Sequence, residues 1–546
     1  MLMLVIAAGV ALVLSKLLWL GLSAESHGRR DPSALLPLRG DIVDRNGTPL
    51  ARTIDVWSIQ VARSELINDP LVLAEKLSQI MPERDRSWFY RQLTSGPKHN
   101  VLAKRALPET VNAVNALGEP GIRFARVPER LYPQTALAAH ALGPIDADGH
   151  GVSGVERALD MRLNGVQGRA EPAMLSIDAR VQAAVEAELG NAMTSFQAKG
   201  AAGLVLDVAT GEVVAMASLP NFDPNRPPAI VNPKDPFDPA ALMLRNNVVQ
   251  SVYELGSTFK PITMAAAIDS GVVSSMARRF DAVAPLSIGE FKIKDDHAQR
   301  RFLNIPETLV HSSNIATARI ADEMGSDRLQ AMFRKLGFDT RPEIGLMERG
   351  KPIWPTSWGR VTTMTAAYGH GIAITPLQLA SAYAALVNGG IWRPATLLKL
   401  SPDQVPAGRQ VISPATSARM RQLLRLVVLK GTGKKAEAPG YRVGGKTGTA
   451  EVATKAGYAK NRNVSTFAAA FPMDAPRYVV VVMIDSPIAN AQSSGQATAG
   501  WTAAPVVSRV IMRTGTMLGV MPDRNRDVDE SDLLPLLWSA PGEDHE

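Results

Sequence analysis

Three short motifs in this chain of 546 residues carry the side chains that nucleophilic catalysis by a serine needs. The first is Ser257-Thr258-Phe259-Lys260, which supplies a hydroxyl and an amine. The others are Ser312-Ser313-Asn314 and Lys446-Thr447-Gly448-Thr449, which add a second hydroxyl, an amide and a cation. A serine hydroxyl is a weak nucleophile at neutral pH and needs a base within hydrogen-bond reach. The three motifs together supply both groups.

The first motif needs a helix to align its side chains. Residues i and i+3 share one face of a helix, so Ser257 and Lys260 can point into one site. Pro261 has no N–H to donate to the carbonyl of Ser257, which places Ser257 at or near a helix start, after the flexible Gly256. Lys260 acts as a base only when it is neutral, which requires burial or a nearby cation. Lys446 is the candidate for that cation.

Each motif alone is a weak signal, because two partial copies occur elsewhere in the chain. Ser95-Gly96-Pro97-Lys98 repeats the first pattern in a Gly-Pro loop, where no helix can align the two side chains. Arg513-Thr514-Gly515-Thr516 resembles the third motif but falls at the end of a predicted C-terminal helix. The S-x-N pattern occurs once, at Ser312. The order of the three motifs is therefore what favours a catalytic interpretation.

Hydrophobic periodicity predicts strands at both ends of the C-terminal region and helices between them, which indicates an α/β or α+β domain. The third motif follows Gly444-Gly445 and precedes the last strand pair, so it is expected at an edge of the sheet. The predicted helices span residues 71–80, 181–189 (with Asp178 as N-cap) and 377–388, and the predicted strands span residues 202–207, 212–218, 465–471 and 478–485.

The composition fits a folded protein with a membrane anchor. The chain is 46% hydrophobic and 20% charged, which is typical of globular proteins. Its net charge of +7 is not gathered into a basic block with aromatic residues, so no nucleic-acid partner is predicted. Residues 1–22 are apolar apart from Ser15 and Lys16, are long enough to cross a bilayer, and are followed by no clear cleavage site. We therefore expect an uncleaved transmembrane anchor.

The rest of the chain divides into four parts. A polar linker at 23–36 precedes a mixed N-terminal pedestal at 37–172, a second domain at 173–520 and an acidic tail at 521–546, which is expected to be surface or disordered. At the start of the pedestal, Asn46-Gly47 predicts a hairpin, because both residues tolerate positive φ.

Four segments resemble class B penicillin-binding proteins, and most closely the division-specific (FtsI) type. The resemblance runs from the anchor to about residue 515, and Leu255 departs from it where many relatives have proline. It implies a penicillin-recognising serine transpeptidase domain with a central antiparallel sheet flanked by helices, and a pedestal that resembles the family's dimerisation domain. The four segments are Tyr253-Glu254-Leu255-Gly256-Ser257-Thr258-Phe259-Lys260-Pro261, Arg39-Gly40-Asp41-Ile42-Val43-Asp44-Arg45-Asn46-Gly47, Gly151-Val152-Ser153-Gly154-Val155-Glu156 and Thr375-Pro376-Leu377-Gln378-Leu379-Ala380.

The resemblance implies a role for each motif residue in septal peptidoglycan cross-linking. Ser257 would attack the penultimate D-alanine carbonyl of a stem peptide, and Lys260 would take its proton. Ser312 would protonate the leaving amine, and Asn314 would hold the substrate amide. The motif at Lys446-Thr447-Gly448-Thr449 would bind the terminal carboxylate, and the backbone N–H groups of Ser257 and Thr449 would form the oxyanion hole.

The implied partners are the D-Ala-D-Ala stem peptide, β-lactam antibiotics, a SEDS-type (FtsW-type) glycosyltransferase and other division proteins. The glycosyltransferase and the other division proteins would bind through the pedestal and the membrane helix. The implied location is the inner membrane, with a single anchor and a periplasmic catalytic domain. No cofactor and no metal are expected, since the eight histidines lack ligand spacing.

Several alternatives are weighed against this interpretation. A class A β-lactamase would need an E-x-x-x-N pattern between Asn314 and Lys446, and the sequence has none there. A bifunctional enzyme would need a larger region before residue 175, and a β-lactam sensor would bring more membrane spans or an H-E-x-x-H motif. The alternative function is that of an elongation-specific transpeptidase, or of a division scaffold or β-lactam-binding sensor with minor catalysis.

Overall fold

The computed structural model describes residues 13–16, 38–232, 235, 238–454 and 457–538. The predicted linker and all but four residues of the predicted anchor lie outside these ranges. Among the described residues, no helix combines the length and the apolar character that a membrane span requires. The described chain forms two compact units, which are built from residues 38–41, 52–131 and 161–172, and from residues 42–51, 132–160 and 173–538.

The strands are, in chain order, β1 (Ile42–Val43), β2 (Pro49–Ala62), β3 (His99–Ala106), β4 (Ile122–Leu131), β5 (Ala173–Met174), β6 (Gly200–Asp207), β7 (Val213–Leu219), β8 (Phe280–Asp281), β9 (Leu286–Ile288), β10 (Phe291–Ile293), β11 (Phe302–Leu303), β12 (Ile391–Trp392), β13 (Arg409–Gln410), β14 (Gly444–Thr454), β15 (Gly457–Phe471) and β16 (Tyr478–Asp485).

The α-helices are α1 (Pro70–Ile80), α2 (Arg86–Thr94), α3 (Pro108–Asn115), α4 (Ala139–Leu142), α5 (Gly154–Ala158), α6 (Asp160–Asn164), α7 (Val166–Ala170), α8 (Ala179–Ser195), α9 (Pro239–Met243), α10 (Lys260–Asp269), α11 (Ile305–Val310), α12 (Asn314–Met324), α13 (Ser326–Lys335), α14 (Arg360–Ala366), α15 (Pro376–Val387), α16 (Pro414–Lys430) and α17 (Ala503–Thr514).

The first unit is a small sheet covered by helices. Strands β3 and β4 both pair antiparallel with β2, and Ile59 of β2 lies opposite Ala103 and Phe124. Helix α1 begins where Asp69 accepts hydrogen bonds from two backbone N–H groups and Pro70 takes the first position. Buried residues of β2, α1 and α2, among them Ile59 and Phe89, form the core of this unit.

The second unit contains an antiparallel sheet of five strands in the order β14-β15-β16-β6-β7. The pairing of β16 with β6 joins residues far apart in sequence, with Val482 opposite Gly203. The strands predicted at 202–207, 212–218 and 478–485 are confirmed within one or two residues, and the one predicted at 465–471 is the second half of the longer β15. As predicted, β14 with the third motif is an edge strand of this sheet.

Helices cover both faces of the five-stranded sheet. Val185 and Leu189 of α8 and Val507 and Val510 of α17 share one core with Val482 of β16. Helix α15 is buried along its whole length, contacts β6, β15 and β16, and contributes no residue to that core, so it packs on the opposite face. The predicted helices at 181–189 and 377–388 correspond to α8 and α15, and Asp178 is the N-cap of α8.

The predicted hairpin at Asn46-Gly47 is present, but its turn differs from the prediction. Val43 pairs with Pro49, and the side chain of Asp44 accepts hydrogen bonds from the N–H groups of Asn46 and Thr48. Only Gly47, at 88°, has a positive φ; Asn46 does not. The aspartate, and not a pair of left-handed residues, therefore holds this turn.

The acidic tail was predicted to be either a surface segment or disordered. Its residues 523–538 are an ordered surface segment that packs against the rest of the second unit. Leu533 is fully buried. Asp527 pairs with Arg425 of α16 at 2.6 Å, and Arg526 pairs with Asp474 at 2.7 Å. The alternative of a disordered tail is wrong for this segment.

A pair of glycine substitutions tests a close backbone approach in the second unit. Gly369 has φ of 83°, and a Cβ there would lie 2.3 Å from the carbonyl oxygen of Gly256. Gly271 has φ of 73°, with nothing within 4 Å of its Cβ position. Gly271→Ala should therefore cost about 1 kcal/mol of unfolding free energy from backbone strain alone. Gly369→Ala should cost roughly 2 kcal/mol more, because backbone atoms must move.

Denaturant unfolding of the two variants measures this difference. An equal loss of stability in both would show that the backbone at Gly369 is not tightly packed against Gly256.

Candidate active site

The first motif lies on a short 3₁₀ turn that leads into a buried helix. The turn is Gly256–Phe259, α10 starts at Lys260, and Pro261 occupies the first turn of α10. The hydroxyl of Tyr383, on α15, donates a hydrogen bond of 2.9 Å to the carbonyl of Thr258. Ser257 is half-buried at the surface of this supported turn, one turn before α10, which agrees with its predicted place at a helix start.

Lys260 is fully buried and points toward the second motif. Its Nζ contacts the carbonyl oxygen of Ser312 and lies 3.0 Å from Ser312 Oγ. The backbone N–H of Lys260 donates to the carbonyl of Ser257, but among the described residues no hydrogen bond joins the Lys260 amine to the Ser257 hydroxyl. Catalytic hydrogen bonds are often loose without substrate and tighten in the reacting complex. The structure thus brings Lys260 to Ser312 and leaves the Ser257 hydroxyl available to a ligand.

Lys446 approaches the same hydroxyl from the edge strand β14. It is fully buried, and its Nζ lies 2.9 Å from Ser312 Oγ. The same Nζ donates to the backbone carbonyl and the hydroxyl of Thr447, each at 3.1 Å. One hydroxyl therefore lies between two buried amines. A hydroxyl has one proton to donate and two lone pairs, so it can bridge an amine donor and a neutral amine acceptor.

Burial decides the charge of these two amines. It lowers the pKa of Lys260 to about 7, although the nearby charges of Asp295 and Asp296 raise it. Burial first, and then the positive charge of Lys260, holds the pKa of Lys446 well below its ordinary value. The two routes predicted for a neutral Lys260 were burial and the cation Lys446. Burial is what lowers its pKa, and Lys446, whose own pKa is held well below its ordinary value, does not act as the predicted cation.

The second motif is held by an aspartate that the sequence analysis missed. Ser313 caps α12 by accepting from the N–H of Ala316, and its hydroxyl donates to Asp295 Oδ2 at 2.8 Å. The other oxygen of Asp295 accepts from the N–H of Ile315 at 2.9 Å. Asn314 donates from its side-chain amide to the carbonyl of Lys294 at 2.9 Å. The segment before α11 therefore fixes the start of α12.

Ser312 itself has an unusual backbone. Its φ is 56°, in the left-handed region that non-glycine residues rarely occupy. Such conformations cost about 1–3 kcal/mol and persist only where the surroundings enforce them. Here the strained backbone presents both the carbonyl and the hydroxyl of Ser312 to Lys260.

The third motif packs directly against the 3₁₀ turn of the first. A Cβ at Gly448 would lie 2.3 Å from the carbonyl oxygen of Leu255, so the glycine is what permits this approach. Thr447 Oγ1 shares a hydrogen bond of 2.8 Å with Thr432, and Thr449 Oγ1 accepts from the N–H of Ala499 at 3.0 Å. Because β14 is an edge strand, its outer backbone groups are open to an extended ligand.

A half-buried histidine lies near the same site and was also missed. His370 lies 3.9 Å from the carboxylate of Glu254. Burial lowers the pKa of His370, and the charge of Lys260 lowers it further, while Glu254 and Asp296 raise it. Asp295 and His370 are far in sequence from the motif residues they approach, and only the folded chain brings these segments together.

The two partial motif copies lie away from this arrangement. Ser95-Gly96-Pro97-Lys98 is exposed between α2 and β3 in the first unit, and Thr514 ends α17, with its hydroxyl bonded to the carbonyl of Val510. Within the described ranges, no group of three or more His, Asp or Glu side chains could hold a metal ion.

Comparison with protein families gives two matches. Residues 201–511 match the penicillin binding protein transpeptidase domain, and residues 34–188 match the penicillin-binding protein dimerisation domain. The chain is 41% identical over 496 residues to the probable peptidoglycan D,D-transpeptidase FtsI of Caulobacter vibrioides, which covers 88% of this chain and 82% of that protein. It is 29% identical to the peptidoglycan D,D-transpeptidase FtsI of Escherichia coli, over 91% of this chain and 86% of that one.

Solved structures resemble the chain over most of its length. Penicillin binding protein 3 of Mycobacterium tuberculosis in complex with ampicillin has a TM-score of 0.69 and 26% identity, over 90% of this chain and 98% of that one. The complex of the same protein with aztreonam has a TM-score of 0.68, over 89% of this chain and 98% of that one.

The buried charge of Lys260 predicts how stability changes with pH. Since the pKa falls from 10.5 to about 7 on folding, protonated Lys260 destabilises the folded state below pH 7, and this penalty fades as pH rises to 10.5. Lys260→Met should therefore be more stable than the original chain by roughly 5 kcal/mol at most near pH 6, and by almost nothing near pH 11.

Denaturant unfolding at several pH values measures this difference, with Lys292→Met as the control because Lys292 is exposed. A Lys260→Met difference that does not change with pH would contradict the pKa assignment.

Proposed function

Because this chain belongs to the penicillin-binding protein transpeptidase family, we propose that it is a peptidoglycan D,D-transpeptidase that cross-links stem peptides in septal cell-wall synthesis. The observation that carries the proposal is the meeting of the three motifs at one hydroxyl. Ser312 Oγ lies within 3.0 Å of both Lys260 Nζ and Lys446 Nζ, and the half-buried Ser257 lies on the 3₁₀ turn that leads into the helix of Lys260.

The first step is attack by Ser257. Its Oγ forms a bond to the carbonyl carbon of the penultimate D-alanine, and its proton passes to the neutral amine of Lys260. The pKa of about 7 supports this role, because a base is most effective when its pKa lies near the working pH. Lys260 is the first residue of α10 and is fully buried, and the carbonyl and hydroxyl of Ser312 hold its amine at the site.

The second half of acylation breaks the peptide bond to the terminal D-alanine. We assign Ser312 as the group that passes a proton to the leaving nitrogen. Its hydroxyl joins Lys260 and Lys446 through hydrogen bonds of 3.0 and 2.9 Å, so a proton that Lys260 has taken up can pass to Ser312 and from there to the leaving nitrogen. The terminal D-alanine departs, and an ester remains on Ser257.

The edge strand and the second motif hold the substrate in this proposal. The outer edge of β14 takes the extended stem peptide, and Lys446, Thr447 and Thr449 face its terminal carboxylate. The side-chain amide of Asn314 holds the substrate amide. The backbone N–H groups of Ser257 and Thr449 form the oxyanion hole, where removal of one donor typically costs about 3 kcal/mol.

Transfer, and not hydrolysis, completes the proposed reaction. An amine of a neighbouring stem attacks the ester on Ser257, forms the new peptide bond and releases the serine. The absence of an E-x-x-x-N pattern between Asn314 and Lys446 supports transfer, because class A β-lactamases use that glutamate to activate water. β-Lactams act as stem-peptide mimics, acylating Ser257 when their ring amide opens.

The proposal extends to location and partners. Residues 1–22 would anchor the protein in the inner membrane with the catalytic domain in the periplasm, and the pedestal and anchor would bind a SEDS-type glycosyltransferase and other division proteins. The apolar composition of the first 22 residues supports the anchor. The proposed division is anchor 1–22, linker 23–36, pedestal 37–172, transpeptidase domain 173–520 and acidic tail 521–546.

Two serine variants test the nucleophile. A fluorescent penicillin should label the purified protein covalently, and Ser257→Ala should lose all labelling because no acyl-enzyme forms. Ser95→Ala is the matched control, since it alters the other S-x-x-K copy and should label at the original rate. Labelling is followed by fluorescence in denaturing gels and by intact mass, which shows the added acyl group.

Labelling that survives in Ser257→Ala, or that is lost in Ser95→Ala, would overturn the assignment. An unlabelled original chain that is correctly folded would overturn the proposed function itself.

A further inference from the structure

The last described residues of the chain contact the helix that precedes the second motif. We call residues 523–538 the C-terminal strap. Its end carries Leu536 and Trp538, which lie against Asn304 and Glu307 at the start of α11. None of these residues belongs to the three motifs, and the strap was expected to be surface or disordered.

The strap completes the N-terminal cap of α11. Asn304 and Glu307 form a capping box, in which each side chain accepts from the other residue's backbone N–H at 3.0 Å. The free donor of that box, the side-chain amide of Asn304, donates to the carbonyl of Leu536 at 2.5 Å. The backbone N–H of Trp538 donates to Glu307 Oε1 at 3.1 Å.

Arg301 contacts both Glu307 of α11 and Trp538 of the strap. Arg301 donates to Glu307 Oε1 at 2.6 Å, and its guanidinium lies 5.1 Å from the ring centre of Trp538. Glu307 is fully buried, so its carboxylate depends on these donors to offset its desolvation. The guanidinium of Arg301 therefore lies over the indole of Trp538 and donates to the carboxylate of Glu307, and these contacts hold the strap to α11.

Helix α11 connects these strap contacts to Ser312, which follows its last turn. All six of its residues, Ile305–Val310, are buried. Its last turn accepts hydrogen bonds from the N–H groups of Ser312, to Leu309 at 3.2 Å, and of Ser313, to Thr308 at 2.9 Å. Ser312 sits at a strained φ of 56°, and such a conformation persists only where the surroundings enforce it, so these hydrogen bonds to α11 are part of what holds it.

The first half of the strap contacts α16, which in turn contacts the residue before the strand of the third motif. Asp527 accepts from Arg425 of α16 at 2.6 Å, and Arg425 also donates to the carbonyl of Val443 at 2.8 Å. Val443 directly precedes β14, which carries Lys446. One segment therefore contacts the elements that place the Ser312 hydroxyl and one of its two partners, Lys446.

We propose that the end of the strap, residues 533–538, positions Ser312 for acyl transfer by holding the N-terminal cap of α11. This inference rests on the proposed transpeptidase function. Leu536 and Trp538 are positioning residues in this account, because they act through α11 and touch no reacting atom. Loss of their contacts lowers the fraction of molecules in which Ser312 lies between the two lysines, and the acylation rate falls with that fraction.

Three changes to the full-length protein test the proposal. A chain that ends at Asp532 loses residues 533–546 but keeps the pairs of α16 with Asp527 and Asp532. A chain that ends at Trp538 is its matched control. Asn304→Ser keeps a good N-cap for α11 but cannot reach the carbonyl of Leu536.

Two readouts are needed. The first is the acylation rate constant at saturating fluorescent penicillin, with the labelled end point giving the folded fraction separately. Removal of residues 533–546 should lower this rate constant at least tenfold, and Asn304→Ser should lower it about fivefold, the effect of one lost hydrogen bond. The chain ending at Trp538 should react like the original.

The second readout is amide hydrogen exchange, which does not depend on catalysis. Exchange in residues 305–317 should become faster in the chain ending at Asp532 and stay unchanged in the chain ending at Trp538. An unchanged rate constant in the folded fraction, even with lower thermal stability, would overturn the positioning role, as would unchanged exchange in α11. Faster exchange in a protein whose original chain is never labelled would instead overturn the transpeptidase function and support the hold on α11.

Discussion

The burial of two lysine amines around one serine hydroxyl is the constraint on which the rest of the site depends. Lys260 and Lys446 are both fully buried and both lie within 3.0 Å of Ser312 Oγ. Two positive charges in this position would be costly, because each loses its water and each repels the other. The fold resolves this by keeping the pKa of Lys260 at about 7, which makes the amine a base at neutral pH. The same burial that costs stability therefore leaves an unprotonated amine available for the proposed proton transfer.

The backbone around these amines is unusually crowded, and this crowding brings three distant segments together. Glycine at 448 lets β14 reach the turn that carries Ser257, and glycine at 369 lets another segment reach Gly256. Ser312 keeps a left-handed φ because hydrogen bonds from both lysines and the end of α11 surround it. Strain of this kind is typical of catalytic sites, where the surroundings over-determine a single geometry. The support comes from helices, from a sheet edge and from the irregular segment that carries Asp295.

Much of this was predictable from the sequence, and the exceptions have a common cause. The motif order, Pro261 and the strand periodicity correctly predict the turn before α10 and the edge position of Lys446, since these depend on local chemistry. Asp295, His370 and the contact of the strap with α11 were missed because only the folded chain brings those segments together. The turn at Asn46-Gly47 was predicted from the wrong feature, because the side chain of Asp44 overrides the usual preference of that dipeptide. Burial, and not the predicted charge of Lys446, lowers the pKa of Lys260, and the depth of a side chain is not revealed by the sequence motifs.

The protonation state of Lys260 tests the central claim most directly. Protein labelled with ¹³C at lysine Cε reports each amine's protonation by NMR, and the signal that disappears in Lys260→Arg identifies Lys260. The account predicts that this signal titrates with a midpoint near pH 7, far below those of exposed lysines. A Lys260 that remains protonated through pH 9 would contradict it, because the site would then lack its neutral base.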